Sequence, residues 1–398
     1  MEPIRVGVIG AGFVAELHLR VYGALGDAVK VTAIASRTPA SAAALAARHG
    51  VPRVRPRTED LLASDEVDVV DLCVPNAAHE SLTVAAARSG KHVICEKPLT
   101  GCFVTHDPSG RRLTKREMLT IATDSADRMI AACRSAGVQL MYAENWAYMP
   151  AIDRARVLVT RAGGSILEVR GEESHHGSHS RAARRWEDCG GGALMMLGAH
   201  PIGAMLQLKR AEGLHRDGKP IRPSSVLAQV ADLTQADSFD REKAYIRTGW
   251  EDVENWCTSI LTFDDGSKGV VTASYNCVGG MRDVLDIYAS NARIQCDLNR
   301  SAALQAYAPD PSVFGDEELA EKLETNAGWS FPAVAEDVLQ GYRGEFEDFL
   351  RAVRTGSTPL SGAEFARDVV QVIYASYASA EEGREVDLVH DVLGRGEQ

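Results

Sequence analysis

The chain has 398 residues, a formal net charge of −12 at pH 7, and 45 % hydrophobic residues. That is the composition of a globular protein too long for one ordinary core, so two domains are expected. The acidic balance argues against a nucleic-acid partner, and no run of about 18 apolar residues marks a membrane span.

An apolar strand begins within the first residues, which leaves no room for a signal peptide. Eight cysteines are scattered with no C-x-x-C pair, which reads as reduced thiols and a cytoplasmic location. The first strand runs into Gly10-Ala11-Gly12-Phe13-Val14-Ala15 and then a helical pattern. This is the spacing of a dinucleotide-binding turn. Gly10 allows the tight turn, Gly12 lets a pyrophosphate approach the backbone, and Ala15 lets the helix pack closely on the sheet. The N–H groups of the first helical turn, at Phe13 and Val14, would face the phosphates.

A second strand, 29–34, completes the strand-helix-strand unit and ends in Ser36-Arg37-Thr38. An NAD-preferring site usually places a carboxylate near here. Two hydroxyls and a guanidinium instead suit a 2′-phosphate, which leans towards NADP over NAD. An alanine-rich helix is read at 41–48 and a third strand at 67–74. Pro75, Asn76 and His79 follow that strand, where a parallel sheet opens its ligand crevice, and are expected to touch the cofactor. Residues 80–89 read as a helix, and a strand at 92–95 delivers Glu96-Lys97-Pro98.

With Gly190-Gly191-Gly192-Ala193-Leu194, Gly198 and His200, these motifs make the chain resemble the glucose–fructose oxidoreductase/inositol dehydrogenase (Gfo/Idh/MocA) family. The resemblance runs over nearly the whole chain. It implies an α/β Rossmann domain followed by an α+β domain with a large open, mostly antiparallel sheet. Boundaries at 1–143 and 144–398 follow. It also implies that Glu96 seats the nicotinamide ribose, that Lys97 contacts the reacting hydroxyl, and that His200 is the general acid/base. The bottom-up chemistry agrees: oxidising a secondary alcohol needs a proton acceptor and a cation beside the developing oxyanion. Two departures stand out. The family's aspartate four residues before the histidine is Met196 here, and the one three residues after it is Gly203. A carboxylate must reach His200 from elsewhere, with Glu144, Glu173 and Asp188 the candidates.

Residues 101–115 form an insertion with a turn at 107–110, at the active-site mouth or a subunit contact. A helix at 126–136 and a strand at 138–142 close the first domain. Asn145 is then expected to bind sugar hydroxyls, with Trp146 or Tyr148 against a sugar face, hinge packing being the alternative. Residues 172–186 hold Glu173, His175, His176, His179, Arg185 and Trp186 just before the triple glycine. A polar, partly cationic substrate wall fits them better than a metal site, so no metal is expected. Strands are read at 226–232, 254–263, 269–275, 287–289 and 293–296, and closing helices at 341–354 and 365–382.

The expected activity is NAD(P)-dependent oxidation or reduction of a secondary carbinol of a sugar, an acidic sugar derivative or a cyclitol. The alternative is an NAD-dependent glycoside hydrolase that oxidises its sugar transiently, with an anionic glycoside such as a sulfosugar as substrate. A non-catalytic nucleotide sensor is a third reading, which Lys97 and Glu96 oppose. A homo-oligomer, dimer or tetramer, is expected, with the sheet face serving as the interface in relatives.

Overall fold

A computed structural model describes residues 2–299 and 335–388 and, between them, 304, 306–314, 319, 322–323 and 325–332. Six parallel strands form the first sheet: β1 (Ile4–Ile9), β2 (Val29–Ala35), β3 (Val54–Arg55), β4 (Val69–Leu72), β5 (His92–Glu96) and β6 (Leu140–Ala143). Their order is β3-β2-β1-β4-β5-β6, with the strand order reversing beside β1. Such a reversal opens a crevice at the strands' carboxyl ends, where Gly10, Pro75 and Glu96 lie. Burial on both faces explains why successive positions such as Val69 and Val70 of β4 are both branched, with no apolar–polar alternation.

The second sheet follows the order β12-β11-β7-β10-β9-β8-β15. Its strands are β7 (Ile166–Ser174), β8 (Pro223–Ala231), β9 (Trp256–Phe263), β10 (Lys268–Ser274), β11 (Arg282–Ala289), β12 (Arg293–Asp297) and β15 (Val386–Asp387). Only the β7–β10 pair is parallel, so the sheet is mostly antiparallel as expected. Between β12 and β15, β13 (Ala306–Ala308) and β14 (Gly328–Ser330) make a separate two-stranded ribbon.

The polar stretch that begins at residue 172 starts on a strand: its first three residues end β7, an interior strand of the sheet. Gly171 hides the strand. A Cβ there would sit 2.7 Å from Pro201 Cβ, so glycine lets the helix Ala199–Asp217 lie directly on the sheet. The helix expected at 126–136 is Lys115–Ala136. It starts early because Thr114 and Glu117 form a reciprocal cap. The insertion therefore runs straight into this helix and is strapped down: Tyr374 accepts the Cys102 N–H at 2.7 Å and donates to the Gly190 carbonyl at 2.7 Å.

A late helix, Tyr342–Thr355, packs back against the first sheet. Phe346, Phe349 and Leu350 of the helix Tyr342–Thr355 share a core with Val6, Val8 and Leu19. All eight cysteines are free thiols. Among the described residues no single helix is long and apolar enough to cross a membrane.

Candidate active site

The glycine turn is shaped for a phosphate. Gly10 has φ +121°, and a Cβ there would lie 2.0 Å from the Cys73 carbonyl oxygen, so the backbones of β1 and β4 touch. A Cβ placed on Gly12 would meet nothing within 4 Å, so its front is open. No side chain caps the helix Phe13–Ala24, which leaves its first N–H groups for a ligand. Ala15 is fully buried, as the close packing of helix on sheet requires. These residues fit a dinucleotide. Beyond β2, Arg37 is exposed, and Ser36 Oγ accepts the Thr38 N–H at 3.2 Å.

Four elements bring the chemical groups together. Lys97, just past β5, donates from Nζ to the Met196 carbonyl at 2.7 Å. His200 opens the helix Ala199–Asp217, and its Nδ1 lies 2.6 Å from Glu144 Oε1, just past β6. Glu173 Oε2, on β7, stands 3.8 Å from His200 Nε2. The Trp146 indole stacks on the imidazole with ring centroids 5.8 Å apart and planes 17° apart. Burial holds the His200 pKa below the ordinary histidine range; Glu144 pulls it up and Lys97 pushes it down. The ring is therefore neutral at neutral pH. With Nδ1–H donated to a carboxylate, Nε2 is left as the basic nitrogen.

Glu144 thus supplies the carboxylate that Met196 and Gly203 lack. Met196 and His200 do not share a helix: Ala193–Met196 is a short helix that breaks at Leu197 and Gly198. Glu254 fixes that corner by accepting the N–H groups of Gly192 at 3.0 Å and Leu194 at 2.9 Å and the Tyr377 hydroxyl at 2.8 Å. A Cβ on Gly192 would fall 1.8 Å from the Glu254 carbonyl oxygen, which explains the third glycine. Neither Glu254 nor its role is visible in the sequence, since it lies on a different segment from the turn it holds.

Several expected ligand contacts are corrected. His79 is fully buried, with Nδ1 3.0 Å from the Pro98 carbonyl and Nε2 3.1 Å from that of Val74, so it holds the Glu-Lys-Pro turn and does not reach a cofactor. Asn76 donates to the Cys189 carbonyl at 3.1 Å and bridges the two domains. Pro75 alone of the three is exposed on the crest.

Asn145 donates to the Gln340 carbonyl at 2.8 Å, and the Tyr148 hydroxyl donates to Asp348 at 2.9 Å, so both belong to the hinge. Trp146 is buried against His200 and offers no face to a sugar. Trp186 is also buried: its Nε1 donates to the Cys102 carbonyl at 2.8 Å and Lys115 Nζ lies 3.2 Å above its ring. Arg185 is turned outward to Glu187 and Asp188, which removes Asp188 from the candidates for His200.

The histidine segment is less cationic than expected. Burial and neighbouring cations push His175 down to about 2, and His179 is lowered as well. Both imidazoles are neutral hydrogen-bonding groups. The sequence gives no sign of Arg247, whose guanidinium donates to His179 Nδ1 at 3.1 Å and whose N–H donates to the His176 carbonyl at 2.7 Å.

Comparison with known proteins identifies the family and the fold. Residues 4–105 match the model of the oxidoreductase family with an NAD-binding Rossmann fold (GFO_IDH_MocA), and residues 154–295 match the GFO/IDH/MocA C-terminal domain. The chain belongs to this family of nicotinamide-dependent oxidoreductases.

Among curated relatives, D-xylose 1-dehydrogenase (NADP(+)) 2 of Haloferax volcanii is 28 % identical over 90 % of this chain and 92 % of its own. Levoglucosan dehydrogenase of Pseudarthrobacter phenanthrenivorans is 25 % identical over 90 % and 91 %. Among solved structures, GenD2 from gentamicin A biosynthesis, in complex with NAD, superposes with a TM-score of 0.79 at 27 % identity, covering 98 % of this chain and 97 % of that one.

Proposed function

We propose that the protein moves hydride between a nicotinamide dinucleotide and a secondary carbinol of a sugar, sugar derivative or cyclitol. The observation that carries this reading is the Glu144–His200 pair, 2.6 Å apart, with the Lys97 ammonium charge close enough to depress the imidazole pKa. When bound, the nicotinamide ring accepts or returns the hydride. His200 Nε2 takes the hydroxyl proton, and Glu144 orients the ring and stabilises the imidazolium that forms. Lys97 leaves the Met196 carbonyl to stabilise the developing alkoxide. Trp146 keeps the imidazole plane fixed. In the reverse direction the same groups protonate and polarise a carbonyl.

Glu173, His175, His176 and His179 form the substrate side. A carboxyl group and imidazoles accept and donate hydrogen bonds to several hydroxyls, which favours a polyhydroxylated substrate. Sugar dehydrogenases among the relatives support this class. Arg37, exposed and without an ion-pair partner among the described residues, supports NADP as the preferred dinucleotide.

On the uncovered face of the second sheet Leu227, Ile260 and Val270 lie side by side across paired strands, and this face supports a homo-oligomer. Sizing of a Leu227→Lys, Ile260→Lys variant tests that. The function itself is tested with aldoses, uronic acids and inositols supplied with NAD+ or NADP+. A reduced dinucleotide must appear with at least one of them and must vanish in His200→Asn.

A further inference from the structure

A cluster of buried ionisable groups beneath the glycine turn has no part in proton or hydride transfer. His18, in the helix Phe13–Ala24, places Nδ1 2.9 Å from Asp71 Oδ2 and Nε2 3.1 Å from Glu96 Oε1. The Tyr22 hydroxyl donates to the same Asp71 oxygen at 2.9 Å, and Cys73 Sγ lies 3.3 Å from His18 Nδ1. Glu96 Oε2 accepts the Lys97 N–H at 3.0 Å. Phe346 closes the cluster edge-on, 4.8 Å from the imidazole centroid. The imidazole and Asp71 are fully buried.

A carboxylate on each ring nitrogen is satisfied only when both nitrogens carry a proton. We propose that His18 is a positioning residue for cofactor binding. As a buried imidazolium it holds the Glu96 carboxylate ionised and aimed at the nicotinamide ribose, and it ties that carboxylate to the helix whose first turn takes the pyrophosphate. The proposal rests on Glu96 being the ribose acceptor.

The charges around the cluster support it. Burial lowers the His18 pKa and the Asp71 carboxylate at Nδ1 raises it, while Cys73 beside it stays a neutral thiol, pushed up to about 12 by burial. Burial raises Glu96, but the His18 hydrogen bond and charge, with Lys97, bring it below the usual carboxylate range. Glu345 faces the cluster from the helix Tyr342–Thr355 with neither carboxyl oxygen hydrogen-bonded. Burial and the negative charges of Glu96, Glu144 and Asp71 push it well above the usual range, so it enters neutral and adds no further negative charge. Without the imidazolium, Glu96 would be a largely desolvated carboxylate short of its main side-chain hydrogen-bond donor and would take up a proton.

The test is calorimetric titration of NAD+ and NADP+ into wild type, His18→Gln, Glu96→Gln and the double variant. His18→Gln is expected to weaken binding about tenfold or more. The loss should grow as pH falls from about 8 to 6, while wild type stays flat. The double variant should bind no worse than Glu96→Gln alone, a coupling that a merely structural role would not produce.

Full affinity in His18→Gln beside a loss in Glu96→Gln overturns the proposal but leaves the ribose reading standing. Full affinity in Glu96→Gln overturns both. Should His18→Gln fail to fold, NMR of histidine-labelled wild type decides. One imidazole must remain doubly protonated at about pH 8.5, above the ordinary histidine pKa of about 6.5, and its absence contradicts the proposal.

Discussion

Glu144 Oε1 lies 2.6 Å from His200 Nδ1, and a Cβ added at Gly203 would fall 3.1 Å from Glu144 Cγ. The helix position at which the family resemblance calls for a carboxylate is thus vacated for one arriving from the end of β6. Glu144→Gln should lower kcat by roughly 10²- to 10⁴-fold with little change in cofactor affinity. Glu144 raises the His200 pKa, so its removal lowers that pKa further. Activity in the oxidative direction needs the neutral ring and falls as pH drops through this pKa. The acid limb of kcat/KM should therefore move to lower pH in the variant; an upward shift would contradict the assignment.

Gly203→Ala should fold, because the Glu144 chain is able to yield by a few tenths of an ångström. It should cost several-fold in kcat through the displaced carboxylate, on the order of 1 kcal/mol of barrier. An unchanged kcat would show that the Glu144 position is not critical.

The two turn glycines should part company. Gly10→Ala drives a Cβ to 2.0 Å from the Cys73 carbonyl at a φ of +121°. It should destabilise the chain by about 3 kcal/mol or more in a denaturant melt. Gly12→Ala meets nothing within 4 Å and should melt like wild type, yet bind dinucleotide about tenfold or more weakly.

Arg37→Asp replaces an exposed cation with a group that repels a 2′-phosphate and accepts ribose hydroxyls. The ratio of kcat/KM for NADP+ over NAD+ should fall by about 10- to 100-fold. A ratio unmoved by this change would place the adenosine ribose elsewhere.

His175 is held at about 2 by burial, far below the histidine value of about 6.5 in an unfolded chain. Below that value the unfolded state binds the extra proton, so stability is complete above about pH 6.5 and is lost as pH falls. Each pH unit costs up to about 1.4 kcal/mol for such a group. Melting temperature should drop steeply between about pH 6.5 and 4, and less steeply in His175→Asn, whose amide oxygen is able to accept the Gly177 N–H that His175 Nδ1 now accepts.

The glycine turn and the Glu-Lys-Pro corner are readable because each is encoded within about ten consecutive residues, and the parallel sheet is readable from apolar runs alternating with helical patterns. Glu144 and His200 are 56 residues apart, and nothing local announces that the end of β6 and a helix start converge. Trp146, Tyr148, Trp186 and Asn76 have side chains whose chemistry suits a sugar or cofactor, which is why the sequence suggests them as ligand contacts. Their direction is set by tertiary packing: Trp146 faces His200, Tyr148 faces Asp348, Trp186 faces Cys102, and Asn76 faces Cys189. The Thr114–Glu117 cap is a legible helix start obscured by the unusual insertion before it.

The central claim is tested most directly by following dinucleotide reduction in wild type and Lys97→Met, with free sugars, cyclitols and aryl glycosides as substrates. The account predicts reduced dinucleotide and oxidised substrate in equal amounts from wild type, with the rate lowered by about 10³-fold or more in a Lys97→Met protein that still folds and binds dinucleotide. Phenol release from an aryl glycoside with no net reduced dinucleotide, or Lys97→Met turning over at the wild-type rate, would contradict it.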